Sequence, residues 1–279
     1  MTATTLITVA PTGAELDKSD VPPLPVTIAE LAKTAVECEQ AGAAVIHVHL
    51  RDADAQPTLD LGVAREAVTA IRESTDLIVQ LSSGGAVTDP ETDRLAVLEA
   101  APDMASCTMG TVNFGTGVFA NRWEFIVDLH QRMQECEIVP EYEIFDLAHL
   151  ASLERLLDKY GLPFGGHVHV DFVLGVPGGA PGNAHTVAHF VEAVRRHLPA
   201  ETTFAATGIG RTTLPVMLST LAHGGHLRVG MEDTVSFARR QPTTGNPQLV
   251  QRAAEAAAMA QRPAMSIDDA RNMLGIRLR

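Results

Sequence analysis

His47 and His49 stand two residues apart in the run Val45-Ile46-His47-Val48-His49-Leu50. In a strand, side chains at i and i+2 leave the same face, so both imidazoles point one way and Ile46, Val48 and Leu50 the other. Two converging imidazoles are the start of a divalent metal site. The competing reading is a pair of hydrogen-bonded core histidines. A third ligand is available from Arg228-Val229-Gly230-Met231-Glu232-Asp233, where Arg228, Gly230 and Glu232 share a strand face and Glu232 ends it. Two histidines and one carboxylate leave an open coordination position, the arrangement of catalytic zinc (Zn2+). Asp233 could act as a base beside the metal. Taken alone, Glu232-Asp233 would equally suit a solvated loop or a helix N-cap.

Other polar groups sit where strand ends are expected. Pro140-Glu141-Tyr142-Glu143-Ile144-Phe145-Asp146 puts Glu141 and Glu143 on one face. A buried carboxylate needs a partner, and Arg228 is the natural candidate for one of them. Asp146 reads as the cap of a following helix. His167-Val168-His169-Val170-Asp171 is a rival ligand set, but its strand runs on through Phe172-Val173-Leu174-Gly175. That places it below a strand-end site, as a packed, hydrogen-bonded layer from which Asp171 could approach the site. The small-residue loops Ser82-Ser83-Gly84-Gly85, Thr108-Met109-Gly110 and Gly175-Val176-Pro177-Gly178-Gly179 would let backbone N–H groups and hydroxyls reach an anionic ligand. Between Phe204 and Asn246 the only acids are Glu232 and Asp233, against Arg211, Arg228, Arg239 and Arg240. A basic sector there suggests a phosphate-bearing ligand; ordinary surface arginines are the alternative.

These residues need a scaffold that gathers the ends of several strands. Apolar or β-branched runs at 6–11, 43–50, 77–83, 104–110, 139–145, 167–175, 203–209 and 226–231 alternate with amphipathic stretches. Within 183–199, Val187, Phe190, Val191, Val194 and Leu198 fall on one helical face; within 27–42, Ile28, Leu31, Ala32, Ala35 and Val36 do the same. Asp89-Pro90 and Asn246-Pro247 read as the starts of the third and eighth helices. Eight strand–helix rounds predict an α/β fold, a single (β/α)8 TIM barrel spanning 1–279 as one domain. A short helical extension is expected at about 266–274, where Ser266 could cap it. A doubly wound sheet would usually carry a Gly-rich phosphate loop after its first strand, and APTGAELDKSD has no GxGxxG. The 279 residues are 46% hydrophobic, which excludes disorder. The formal net charge of −13 argues against nucleic acid as partner. No stretch of ~18 residues lacks polar groups, so no membrane span is expected, and with no Lys or Arg before Lys18 the start does not look like a signal peptide. Three scattered cysteines, Cys38, Cys107 and Cys136, fit a reducing cytoplasm. Only Lys18, Lys33 and Lys159 occur, none in a predicted strand, so Schiff-base chemistry is disfavoured.

TGAE (12–15), HVHLRD (47–52), SSGG (82–85), MASCTMGTVNFG (104–115), PEYEIFD (140–146), FVLGVPGG (172–179) and GGHLRVGMED (224–233) occur in order over most of the chain. Together they resemble the β-keto acid cleavage enzymes. The resemblance implies a zinc-dependent barrel, usually a homo-oligomer (dimer or tetramer), that converts a β-keto acid and acetyl-CoA into acetoacetate and a new acyl-CoA. It implies His47, His49 and Glu232 as zinc ligands and Asp233 as the base, with Arg228 and Glu143 as its charged partners. Ser83 and Thr108 would hold the substrate carboxylate and keto oxygen, with Arg211 as a further substrate contact from the basic sector. Glu15 matches a position that would meet an ammonium group, which points to an amino-substituted β-keto acid. SSGG, in place of a Thr/Gly-rich form, and HVHVD before FVLG depart from the family pattern.

Three other readings compete. A divalent-metal aldolase or lyase would act without CoA. A metal-dependent hydrolase would carry its HxH on the first strand, with a bridging Lys often on the fourth. A non-catalytic barrel would leave a metal no open position.

Overall fold

The structure, a computed structural model, describes residues 3–277. Among them, eight parallel strands close into a barrel: β1 (Ile7–Val9), β2 (Val45–Val48), β3 (Ile78–Leu81), β4 (Met104–Thr108), β5 (Val139–Ile144), β6 (His169–Leu174), β7 (Thr203–Gly208) and β8 (His226–Val229). Each pairs with its neighbours in sequence, and β8 closes on β1 with Thr8 opposite Arg228. Helices α1 (Ile28–Gln40), α2 (Leu61–Ser74), α3 (Glu91–Ala96), α4 (Trp123–Glu135), α5 (Leu147–Tyr160), α6 (Ala184–His197), α7 (Thr213–Ala222) and α8 (Asn246–Met259) follow the strands in turn. The strands lie within the stretches predicted for them but are shorter, and three antiparallel hairpins at 50–58, 112–119 and 236–242 decorate the βα loops.

Alternation explains what faces where. On β6, Val170, Phe172 and Leu174 point outward into the layer shared with α6, whose Val187, Phe190, Val191 and Val194 are buried as predicted. Phe172 and Phe190 meet edge to face at 5.2 Å between ring centroids. Removing this apolar layer from water is what holds helices to barrel. The α1 face is held likewise by Leu31 and Ala35, with Thr27 and Glu30 forming a reciprocal cap at its start.

Two helix starts differ from expectation. At α3, Pro90 occupies the cap position, and Asp89 instead accepts from Ala86 N–H at 2.7 Å, closing its own loop. At α8, Gly245 precedes the helix, and the buried Asn246 side chain accepts from Met231 N–H (2.8 Å) and donates to the Pro11 carbonyl (3.1 Å). It ties the helix to the loops after β8 and β1. Asp146 and Ser266 do cap the helices they precede.

The interior is tiered. At the N-terminal end of the strands, Leu6, Val45, Ile78, Met104 and Val139 form an apolar floor, closed from outside by Ala270 and Leu274 of α9 (Ile267–Leu274). Above it lie Gln80, Ser106, Glu141, His169 and His226, all buried. Glu143, Arg228, Glu232 and Asp233 lie at the C-terminal mouth, the end at which barrels place their chemistry.

Candidate metal centre

β2 delivers His47 from its interior face and His49 one residue past its end, their ring centroids 5.3 Å apart. His47 Nδ1–H donates to Gln80 Oε1 at 2.5 Å, which leaves Nε2 as the lone-pair nitrogen. That nitrogen faces Glu232 Oε1 at 3.9 Å, and His49 Nε2 faces the same oxygen at 3.6 Å. One donor atom from each of the three residues lies within 4.8 Å of the others. The other Glu232 oxygen is buried and has no hydrogen-bond partner among the described residues. Burial, reinforced by the nearby Arg228 charge, lowers His47 to about 4, so its imidazole is neutral, as ligation requires. Burial lowers His49 as well. Two neutral imidazoles, one of them oriented by an amide, and a carboxylate with an unused oxygen fit a zinc ion.

Glu232 and Asp233 are not strand residues. β8 stops at Val229, and the N–H groups of Asp233 and Thr234 turn back to the Gly230 carbonyl at 3.1 and 3.0 Å. Strand alternation would have sent the two carboxylates to opposite sides; the turn brings both to Arg228. Gly13, at φ +67°, lets the loop after β1 cross over this turn, since a Cβ there would lie 2.8 Å from Glu232 Cγ.

Arg228 is buried and serves three carboxylates. It donates to Glu232, to Asp233 through Nη2 (3.0 Å) and Nε (3.4 Å), and reaches Glu143 at 3.5 Å. Thr108 donates to the other Glu143 oxygen at 2.6 Å. Arg228 and the two histidines hold Glu232 at about 2 in spite of its burial. Burial, with the charges of Glu232 and Glu143, pushes Asp233 up to about 7 against the pull of Arg228. One carboxylate of the adjacent pair is held ionised, and the other is raised toward neutrality. That division of roles suits a ligand beside a base.

A cavity of about 360 Å3 opens onto this cluster, bordered by His49, Glu143, Arg228, Glu232 and Asp233. The expected substrate contacts are placed unequally. Glu15 borders the cavity but is exposed, and Arg51, held by the Gly13 and Leu16 carbonyls, feels its charge. The Ser83 hydroxyl turns away to the Ser106 carbonyl at 2.6 Å, while Ser82, Gly84 and Gly85 border the cavity. Thr108 reaches the site through Glu143. Arg211, Arg239 and Arg240 are exposed and do not border the cavity, so of the basic sector only Arg228 is brought to it.

The rival His-x-His of the sixth round lies lower. His167 Nε2 and His169 Nδ1 share the Thr203 hydroxyl, each at 2.7 Å, and His169 Nε2 faces Glu141 at 3.4 Å. Asp171 accepts from Thr207 at 2.9 Å.

Three positioning residues escaped the reading of the sequence. Gln80 is one; as the polar residue of an otherwise apolar strand, it carried a signal. Asn246 is another, since it fixes Met231 beside Glu232. Arg94, buried between the Phe119 and Phe125 rings, donates to the Ser83 and Ala120 carbonyls and to Asn121, and so clamps the loops after β3 and β4 together. Nothing local marks Arg94 as different from a surface arginine.

A family model described as beta-keto acid cleavage enzyme matches residues 4–276. The chain is 34% identical over 277 residues to a 3-keto-5-aminohexanoate cleavage enzyme of Acetoanaerobium sticklandii, covering 97% of this chain and 98% of that one. It is 31% identical over 277 residues to a 3-oxoadipate:acetyl-CoA acetyltransferase of Cupriavidus necator, covering 99% and 96%. Among solved structures, apo ObcA superposes with a TM-score of 0.80 at 18% identity, over 92% of this chain and 66% of that one, a likeness of fold. Among the described residues no helix is long and apolar enough to cross a membrane.

Proposed function

Because the chain belongs to the β-keto acid cleavage enzyme family, we propose that it is a zinc-dependent acyltransferase acting on a β-keto acid and acetyl-CoA to give acetoacetate and a new acyl-CoA. The observation that carries this reading is the mouth cluster: a His-His-carboxylate ligand set and, next to it in sequence, a carboxylate poised near neutrality. His47, His49 and Glu232 would hold the zinc. Zinc, when bound, supplies a Lewis acid that acidifies C2 of a β-keto acid.

The protein's own groups do the rest. Arg228 holds Asp233 by two hydrogen bonds, so that Asp233 can take the C2 proton. The C2 carbanion attacks the acetyl carbonyl and CoA leaves as thiolate. The thiolate attacks the original 3-oxo carbon, the C2–C3 bond breaks, and the carbanion of acetoacetate recovers the proton from Asp233. Arg228 and the Gly84 and Gly85 loop offer donors to the substrate carboxylate. Nothing is oxidised or reduced and no lysine is needed, in keeping with a chain whose three lysines lie off the barrel strands.

We further propose a homo-oligomer, as the family resemblance implies, in the cytoplasm. An amino-substituted substrate would call on Glu15 at the rim of the cavity. The test is acetoacetate formation from a panel of β-keto acids with and without acetyl-CoA. The proposal requires strict dependence on acetyl-CoA; cleavage without it would point to the metal-dependent aldolase or lyase.

A further inference from the structure

The cavity has two unlike sides. The metal ligands and Arg228 come from the β2 and β8 ends, and Glu15 from the loop after β1, which lies between them in the closed barrel. The opposite side, over the ends of β4 to β7, is apolar. Phe145, Val173 and Val176 are buried there in one cluster with Phe119, and Val87, Phe114 and Ile209 pack against it. Phe114 stands at its centre, edge to face with both Phe119 and Phe145 at 6.4 Å between centroids.

This wall is built. Phe114 and Phe119 ride on the hairpin at 112–119, which Arg94 grips through Ala120 and Asn121. The far side of the hairpin rests on the loop after β6: Gly115 N–H donates to the Pro177 carbonyl at 3.0 Å, and at Gly178 (φ +103°) a Cβ would lie 2.1 Å from the Asn113 carbonyl oxygen. Only a glycine lets these two loops close on each other. Of the charged groups bordering the cavity, Glu15, His49, Arg228, Glu232 and Asp233 come from the ends of β8, β1 and β2; Glu143, on β5, comes from the opposite side and is taken up by Arg228 and Thr108.

Resting on the reading of the mouth as a β-keto acid site, we infer that the apolar wall receives the substrate's acyl tail, and that this tail is neutral and hydrophobic. A substrate whose carboxylate and 3-oxo group are held at the ligand side must send its tail away from the ligands, across the mouth. CoA, with its nucleotide and phosphates, exceeds a cavity of about 360 Å3 and delivers only its acetyl thioester to it. An ammonium group on the tail would be desolvated against three phenylalanines, with Glu15 on the wrong side to pair with it. The geometry thus turns against the amino-substituted substrate that Glu15 suggests from sequence.

The test uses an isosteric pair, 5-methyl-3-oxohexanoate and 5-amino-3-oxohexanoate, compared by kcat/KM at saturating acetyl-CoA. The methyl compound should be preferred by about 10-fold or more. Phe114→Ala should erode that preference by roughly 3-fold or more, by raising KM for the methyl compound alone. Equal or better turnover of the amino compound, or an equal loss for both in Phe114→Ala, would overturn the inference. The same order is read without turnover from the Tm shifts given by 5-methyl-3-oxohexanoate and 5-amino-3-oxohexanoate in the absence of acetyl-CoA. A larger shift from the methyl compound, together with no acetoacetate formed when acetyl-CoA is supplied, would leave the tail assignment standing and reject the proposed reaction; a larger shift from the amino compound would reject the tail assignment itself.

Discussion

The chain carries the pattern His-x-His on two strands, and the barrel treats the two pairs differently. His47 and His49 sit at the end of β2, where both turn Nε2 toward Glu232, a carboxylate that keeps one oxygen without a hydrogen-bond partner among the described residues. His169 opens β6 and His167 lies two residues before it, and both spend a ring nitrogen on the same threonine hydroxyl. The residue types and spacing are the same. What differs is height along the barrel. At the mouth a loop can bring a third ligand and leave room for substrate; lower down, eight strands crowd the axis, and His167 and His169 are tied to Thr203 with Glu141 3.4 Å from His169 Nε2. The motif is therefore informative only together with its distance from the strand's C-terminal end.

The largest expected difference between the pairs is in metal content. His49→Ala should lose the metal and reduce acetoacetate formation by about 100-fold or more, whereas His169→Ala should keep its metal and lose stability of about 1–3 kcal/mol through the partners it strands. Equal metal loss in both variants, read by elemental analysis and thermal unfolding, would break the distinction.

Asp233→Asn comes next. Removing the base while keeping its shape should lower kcat by roughly 100-fold or more with a smaller change in KM. A near-normal kcat would move the base to Glu143, the other buried carboxylate on Arg228.

Much of this contrast was legible in the sequence, and the part that was not has a physical reason. Period-2 alternation put His47 and His49 on one face of their strand and Ile46 and Val48 on the other, and eight strand–helix rounds predicted the barrel. It failed at Glu232 and Asp233, because a turn stabilised by the Gly230 carbonyl ends the alternation that separates neighbours. The apolar wall could not be read either. Val87, Phe114, Phe145, Val176 and Ile209 come from different loops, and no periodicity links residues that meet only when the barrel closes.

A smaller effect separates a ligand from the group that aims it. Gln80→Met should preserve the fold but weaken metal binding by roughly 10- to 100-fold, because His47 loses the acceptor that fixes its tautomer. Titration of the chelated protein with zinc measures this; unchanged affinity would mean that packing alone orients His47.

A last difference is confined to stability at low pH and involves the lower tier. Burial first, then the nearby His169 and Arg262, lower His226 to about 3, and its Nδ1 accepts from Leu6 N–H at 3.0 Å. The folded protein therefore keeps His226 neutral while the unfolded chain protonates it below about 6.5. Its contribution is fully present above that value and is lost as the pH falls from there toward 3, by about 1.4 kcal/mol per pH unit for one proton. His226→Asn, which retains an acceptor but does not titrate, should flatten the fall of Tm over this window; an unchanged slope would mean that His226 is protonated in the fold.

The proposed metal sits at the mouth, on His47, His49 and Glu232, and nowhere on the lower pair. Anomalous scattering at the zinc edge, from crystals grown with zinc, measures this directly. A peak is expected within bonding distance, about 2.0–2.2 Å, of His47, His49 and Glu232, and none beside His167 and His169. A peak on the β6 pair, with the mouth histidines bare, would contradict it.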